Sequence, residues 1–231
     1  MARGYFLGNI EVTLINKKSL DDRSICDYSN QMKKDTQLTR QHIIDSGYTL
    51  ISSKGFTNVG LSQILKYADV PKGSFYHYFK SKEQFGEEII SDYFTHYLHS
   101  IDELFCTDEG TGLDRLMQYW LRWQINQSDT CENQQCLVVK LSAEVADLSE
   151  SMRIALDAGS SAVIDRIATC IETGIADGSI AQMHAFDTAE ILYQMWLGAS
   201  LRNKLSRDPR IIERVLDATK FLLAQPLHIA D

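Results

Sequence analysis

From residue 35 onward the apolar positions of this 231-residue chain recur every three or four residues, and no stretch alternates with the two-residue period of a strand. Ile43, Ile44, Leu50 and Ile51 share one stripe of a helix expected over 35–53. Gly47 leaves room there for a close neighbour, and Gly55 suits the C′ position that ends it. Leu61, Ile64, Leu65 and Ala68 keep the i, i+3, i+4, i+7 spacing of a short second helix. Asp69 and Val70 then turn the chain. Pro71, whose fixed φ and missing N–H suit the first helical position, opens a third helix over 72–78. In it Phe75 and Phe79 face inward, and Phe56 is placed to plug the core of the three helices.

The pattern continues in helices. Ser81 followed three residues later by Gln84 is a capping box that opens a helix through Phe85, Ile89, Ile90, Tyr93 and Tyr97 to about Leu104. The polar run 107–111 breaks it. Leu113, Leu116, Met117, Trp120, Leu121 and Trp123 mark the next helix, and a polar segment over 126–135 interrupts again. Further helices are expected over 136–145, from Ser149 to about Gly174, and over 187–206 and 209–224. Residues 1–31 show no period and carry no motif. The fold class is therefore all-α, with a helix-turn-helix domain over 33–82, a second helical domain over 83–231, and an N-terminal extension over 1–32 expected to be disordered. Met32 is a candidate natural start, with the stretch before it an over-extended reading frame.

Charge changes the picture. The whole chain is acidic, at −8, which by itself argues against a nucleic-acid partner. Residues 33–82, however, hold eight Lys/Arg against three Asp/Glu, whereas 83–231 hold eleven against twenty-four. A basic module can neutralise phosphates while an acidic remainder keeps other surfaces off the duplex. The second of two short helices joined by a tight turn would carry the reading surface: Lys72, Gly73, Ser74, Tyr76, His77 and Tyr78 remain outside its apolar face. Lysines and aromatics on a helix are ordinarily solvated surface and core. That accounts for Phe75 and Phe79, but not for three polar-tipped rings beside Lys72, Lys80 and Lys82.

Gly55, Leu61–Ser62–Gln63–Ile64, Ala68–Asp69–Val70, Lys72–Gly73–Ser74–Phe75–Tyr76 and Phe79–Lys80–Ser81–Lys82–Glu83 together resemble the DNA-binding signature of the TetR family of transcriptional regulators. The resemblance implies a homodimeric repressor on a near-palindromic double-stranded operator. Lys72, Gly73 and Ser74 would lie at base edges, Tyr76, Tyr78 and Lys82 on phosphate, and His77 on either. Lys33, Lys34 and Arg40 could add phosphate contacts. It also implies that the 83–231 domain senses a ligand and dimerises, with the last two helices building the interface over Trp196–Leu201 and Ile211–Phe221.

The segment 136–150 together with Trp196–Leu197–Gly198–Ala199 and Leu201–Arg202–Asn203–Lys204 is similar to one branch of that family, which responds to reactive electrophiles and oxidants. That similarity points to Cys136 as a redox sensor and Lys204 as a nearby amine. A cysteine at a helix N-terminus is favoured as thiolate, the form that electrophiles attack. The competing reading is a small buried hydrophobe, which free cysteine usually is. Cys131 could resolve an oxidised Cys136 if the loop folds back, and Cys106 and Cys170 sit in apolar contexts that suggest packing.

The inducer would be a small-molecule electrophile or oxidant. The alternative is an apolar molecule held without covalent chemistry by Trp120, Trp123, Met195 and Trp196, although such an aromatic stripe is more often core than pocket. Five cysteines without paired C-x-x-C spacing give neither a disulfide framework nor a zinc site. His96 and His99 share a helix face but supply too few ligands for a metal. No H-E-x-x-H, phosphate-binding or nucleophile-elbow motif is present, so no enzyme and no cofactor are expected. No apolar run approaches membrane-spanning length and no signal-peptide pattern opens the chain, which gives a cytoplasmic expectation.

Overall fold

The computed structural model describes the backbone of residues 22–126 and 137–224, with side chains from residue 36 onward within those spans. Among the described residues it holds nine α-helices and no strand: α1 (Asp22–Lys54), α2 (Leu61–Tyr67), α3 (Lys72–Tyr78), α4 (Lys82–Phe105), α5 (Gly112–Asn126), α6 (Leu137–Val145), α7 (Glu150–Ala176), α8 (Ala185–Ser206) and α9 (Arg210–Ala224). No helix among them is long and apolar enough to cross a membrane. The chain divides into two compact units, 1–39 and 40–231. The described backbone of the first belongs to α1, and the side-chain contacts below are those of the second.

Helix α1 begins at Asp22, thirteen residues before the expected start. The expected start followed the apolar stripe, and residues 22–34 are helical without one, so hydrophobic period could not reveal them. The other end matches the expectation. Gly55 has φ +86°, a left-handed conformation that glycine adopts without penalty, and its N–H donates to Ile51 O at 2.8 Å. Gly47 is needed for space, since a Cβ there would lie 2.4 Å from the Phe85 ring.

Three helices pack around Ile43, Ile44, Ile51, Phe56, Val59, Ile64, Phe75, Phe79 and Phe85, all essentially inaccessible to solvent. Asp69 takes a positive φ of 52° in the turn between α2 and α3, a conformation that a short polar side chain tolerates. Pro71 sits one position earlier than expected. With ψ at 151° it is the N-cap of α3 rather than its first residue, and its carbonyl accepts from Ser74 N at 3.0 Å.

The long helix α4 carries the chain out of this module. Ser81 Oγ accepts from Gln84 N at 3.1 Å, as a capping box requires, but the Gln84 side chain accepts from Lys80 N (2.9 Å) instead of Ser81 N. Beyond it, α7 is the axis against which α4, α5, α6 and α8 pack, and α9 closes on α8. The three tryptophans meet in this bundle. Trp120 and Trp196 stack at 4.8 Å between ring centres, Trp123 Nε1 donates to Ser200 Oγ, and Trp196 Nε1 donates to Thr219 Oγ1, both at 2.9 Å.

Candidate nucleic-acid interface and regulatory site

The seven residues of α3 are held by one side chain. Phe75 is wholly buried and packs edge-on against Phe85 (5.2 Å) and tilted against Phe79 (5.1 Å). Anchoring that face turns the opposite one outward: Lys72, Gly73, Tyr76 and His77 are exposed, and Ser74 and Tyr78 are half-buried. A Cβ on Gly73 would meet nothing within 4 Å, so the backbone there is open to close approach. Lys72 Nζ lies 5.9 Å from the Tyr76 ring centre, a cation–π spacing that leaves the ammonium at the surface. Six of the seven expected DNA-contacting residues thus form one continuous face.

Lys82, the seventh, is differently placed. Its ammonium donates to Phe56 O at 2.8 Å and lies 4.3 Å above the Phe56 ring. Burial holds its pKa below the ordinary lysine value, against the pull of Glu83 and Glu144. One of its three N–H donors is thereby spent inside the module. Arg40 is also committed inward, with an ion pair to Glu88 at 2.7 Å and its guanidinium 5.4 Å over Phe79. It braces α1 against α4, an ion pair with which the expected phosphate contact by Arg40 would compete. The side chains of Lys33 and Lys34 lie outside the described residues.

In the regulatory bundle, Cys136 and Cys131 fall outside the described residues, and α6 starts at Leu137, immediately after the expected sensor. Lys204 lies in the last turn of α8. Burial and the neighbouring Lys140 ammonium of α6 hold its pKa below the ordinary lysine range. Of the other thiols, Cys170 is buried as expected. Burial pushes it up to about 11, and its sulfur contacts Gly112 O at 3.5 Å. Cys106 corrects its expectation: it is exposed, because it is the C-cap of α4, where the helix leaves the core. His96 and His99 each face a carboxylate of their own helix, Asp92 and Glu103, and no metal-binding group occurs among the described residues.

Sequence reasoning missed a contact between the two halves. The carboxylate of Glu144 on α6 accepts from the backbone N–H groups of Phe56 and Thr57 and from the Thr57 hydroxyl, the first at 3.0 Å. One helical turn earlier, Lys140 Nζ donates to Ser53 O at 2.9 Å. The only sequence signal was a Lys and a Glu four apart on a helix, which reads as a solvated pair.

A tri-helical module presenting a polar, ring-bearing helix above a buried phenylalanine cluster defines a helix-turn-helix DNA-binding protein. Comparison with known proteins carries this further. Residues 43–89 match "Bacterial regulatory proteins, tetR family", and residues 112–219 match "Tetracyclin repressor-like, C-terminal domain". The chain belongs to the TetR family of transcriptional regulators. It is 41% identical over 191 residues to the HTH-type transcriptional repressor NemR of Escherichia coli, covering 81% of this chain and 95% of that one. It is 34% identical to the transcriptional regulator AcuR of Cereibacter sphaeroides, over 76% of this chain and 80% of the other. The crystal structure of reduced E. coli NemR superposes with a TM-score of 0.75 and covers 81% of this chain and 98% of that one. The protein is a NemR-like transcriptional repressor of the helix-turn-helix type, and relatives named as repressors set aside an enzymatic reading.

Proposed function

We propose that this repressor binds a near-palindromic operator as a homodimer and releases it when an electrophile or oxidant modifies Cys136. The sensing reading is supported by the likeness of 136–150 and 196–204 to the electrophile-responsive branch of the family. It is also supported by Lys204 lying near enough to Lys140 of α6, the helix that begins after Cys136, for that ammonium to add to burial in lowering the Lys204 pKa. Two ammonium groups and the first turn of a helix make that neighbourhood electropositive, which favours thiolate over thiol. Thiolate attacks a maleimide or an aldehyde directly. Oxidised to a sulfenic acid, the same sulfur can condense with a thiol or a nitrogen.

At the operator, Lys72, Gly73 and Ser74 reach base edges, Tyr76 and Tyr78 hold phosphate, and the two unspent donors of Lys82 can meet a backbone oxygen. Dimer formation is supported by the exposed apolar side chains Ile191, Leu201, Leu205 and Phe221 on α8 and α9, alongside open Gly198 and half-buried Ala199.

A second reading places an apolar inducer among Trp120, Trp123, Met195 and Trp196. One observation favours it: Trp120 Nε1 is buried with no hydrogen-bond partner among the described residues. The stacked, fully buried indoles weigh against it, because they fill the space an inducer would need.

Operator binding by the Cys136→Ser protein separates the two. It should bind like the parent and no longer release DNA with hypochlorite, methylglyoxal or a maleimide. Full release by every reagent from Cys136→Ser protein would sink the sensing reading.

A further inference from the structure

The turn that follows α1 is short of internal partners. Beyond Gly55, the amides of Phe56 and Thr57 lie past the last helical hydrogen bond, and Ser53 O is among the terminal carbonyls that no intrahelical N–H reaches. Side chains from distant parts of the chain fill these needs. Glu144 takes both amides and the Thr57 hydroxyl on one carboxylate. Lys140 takes Ser53 O, placing a cation at the negative end of α1. Lys82 takes Phe56 O from the other side.

The fit extends to the backbone. A Cβ on Gly55 would lie 2.9 Å from Glu144 Oε2, so glycine is needed there both for its positive φ and for access of the carboxylate. Phe56, the residue so held, is 1% exposed and fills the core between α1, α2 and α4. The helix that supplies Glu144 and Lys140 is itself anchored in the regulatory bundle by Leu137, Val138, Leu141 and Val145.

We propose that Glu144, with Lys140, is a positioning residue for operator binding: the pair on α6 holds the 53–57 turn, and through Phe56 sets the placement of α2 and α3 on DNA. A displacement of the N-terminal end of α6 then loosens this turn and mis-sets the reading helix. This last step rests on the proposed sensing role of Cys136; the positioning role does not. Hydrogen bonds to an ionised carboxylate are about twice as strong as neutral ones, so a single side chain can carry the coupling. The same three donors, with Lys82, hold the Glu144 carboxyl below its ordinary pKa in spite of partial burial.

The test uses the full-length protein and an operator fragment. Glu144→Ala should bind the operator about tenfold more weakly, the loss expected when hydrogen bonds to a charged group are removed. Glu144→Gln, which keeps one acceptor oxygen, should fall between Ala and parent. The slope of affinity against salt should stay parental, because Glu144 touches no phosphate. Amide hydrogen exchange at Phe56 and Thr57 should accelerate in Glu144→Ala while amides at Ile89 and Ile167 keep their protection, which general destabilisation would not produce. Should Glu144→Ala fail to fold, Thr57→Val removes one donor at constant volume and should show a smaller loss of the same kind.

Parental affinity in Glu144→Ala, or unchanged exchange at Phe56 and Thr57, overturns the positioning role. Maleimide-treated parent protein addresses the transmission step separately. Release of DNA with Phe56 and Thr57 still protected rejects the route through the turn and leaves the sensing reading intact. Failure of the parent to release at all rejects the sensing reading and leaves the positioning role to be judged on the variants.

Discussion

Helices α3 and α6 are both short and both pinned by buried apolar side chains, Phe75 alone on α3 and four on α6, yet their polar faces have opposite fates. On α3, Lys72, Tyr76 and His77 project into solvent, where a duplex can meet them. On α6 the polar face is consumed internally, by the backbone of the 53–57 turn. The lesson is that a polar side chain on a helix has no role until its surroundings are known. Lys82 shows it within one residue type, since unlike Lys72 it is drawn inward by a carbonyl and a ring.

The largest effects should come from the buried faces, where the two helices ought to behave alike in stability and differ in function. Phe75→Ala should cost about 3–5 kcal/mol and Leu141→Ala about 2–5 kcal/mol, since each leaves a cavity in a packed core. Thermal and denaturant unfolding would measure both. Operator binding by the folded fraction should vanish for Phe75→Ala and survive in part for Leu141→Ala. An equal loss in both would remove the distinction between a reading helix and a coupling helix.

A smaller effect tests the wider lesson on two thiols. Cys170, pushed up to about 11 by burial, should resist a disulfide reagent at pH 8 until the protein unfolds, whereas exposed Cys106 should react at once. The sign of the pH dependence follows. The unfolded thiol loses its proton near 9 and the folded one only near 11, so the native state binds more protons between these values. Stability from this group is complete below about pH 9 and is lost as pH rises through 11, by about 3 kcal/mol in all. A Cys170→Ala protein should lose less stability than the parent over that interval, measured by denaturant midpoints.

Smallest are the exposed faces. Tyr76→Phe removes a phenolic donor and should weaken operator binding evenly across sequences by about 1 kcal/mol, with stability unchanged. Ala143→Lys, on the free side of α6, should change stability and affinity by less than about 0.5 kcal/mol. Sequence-selective loss in Tyr76→Phe would move that residue from phosphate to base recognition.

Much of this molecule was legible before its structure. The spacing of Leu61, Ile64, Leu65 and Ala68, the Asp69–Val70 turn and the inward Phe75 and Phe79 locate a helix-turn-helix because each signal is local: period, turn chemistry and capping act within a few residues. Boundaries failed where the local signal was absent. The start of α1 at Asp22 carries no apolar stripe, and Pro71 proved a cap because ψ is set by the turn before it. The tryptophan stripe read as core more readily than as pocket, and only the stacking of Trp120 on Trp196, from helices α5 and α8, shows how the space is filled.

The sequence by itself determined the all-α class, the basic reading module and its outward residues, since helical period and charge are properties of neighbours in the chain. Only the tertiary structure decided that Arg40 and Lys82 serve the interior of the module, and that Glu144 reaches across 87 and 88 residues of chain to Thr57 and Phe56. A carboxylate carries no mark of which distant amides it will meet. That pairing is set by where α6 docks, and docking follows from the packing of Leu137, Val138, Leu141 and Val145 into a core assembled from the rest of the bundle.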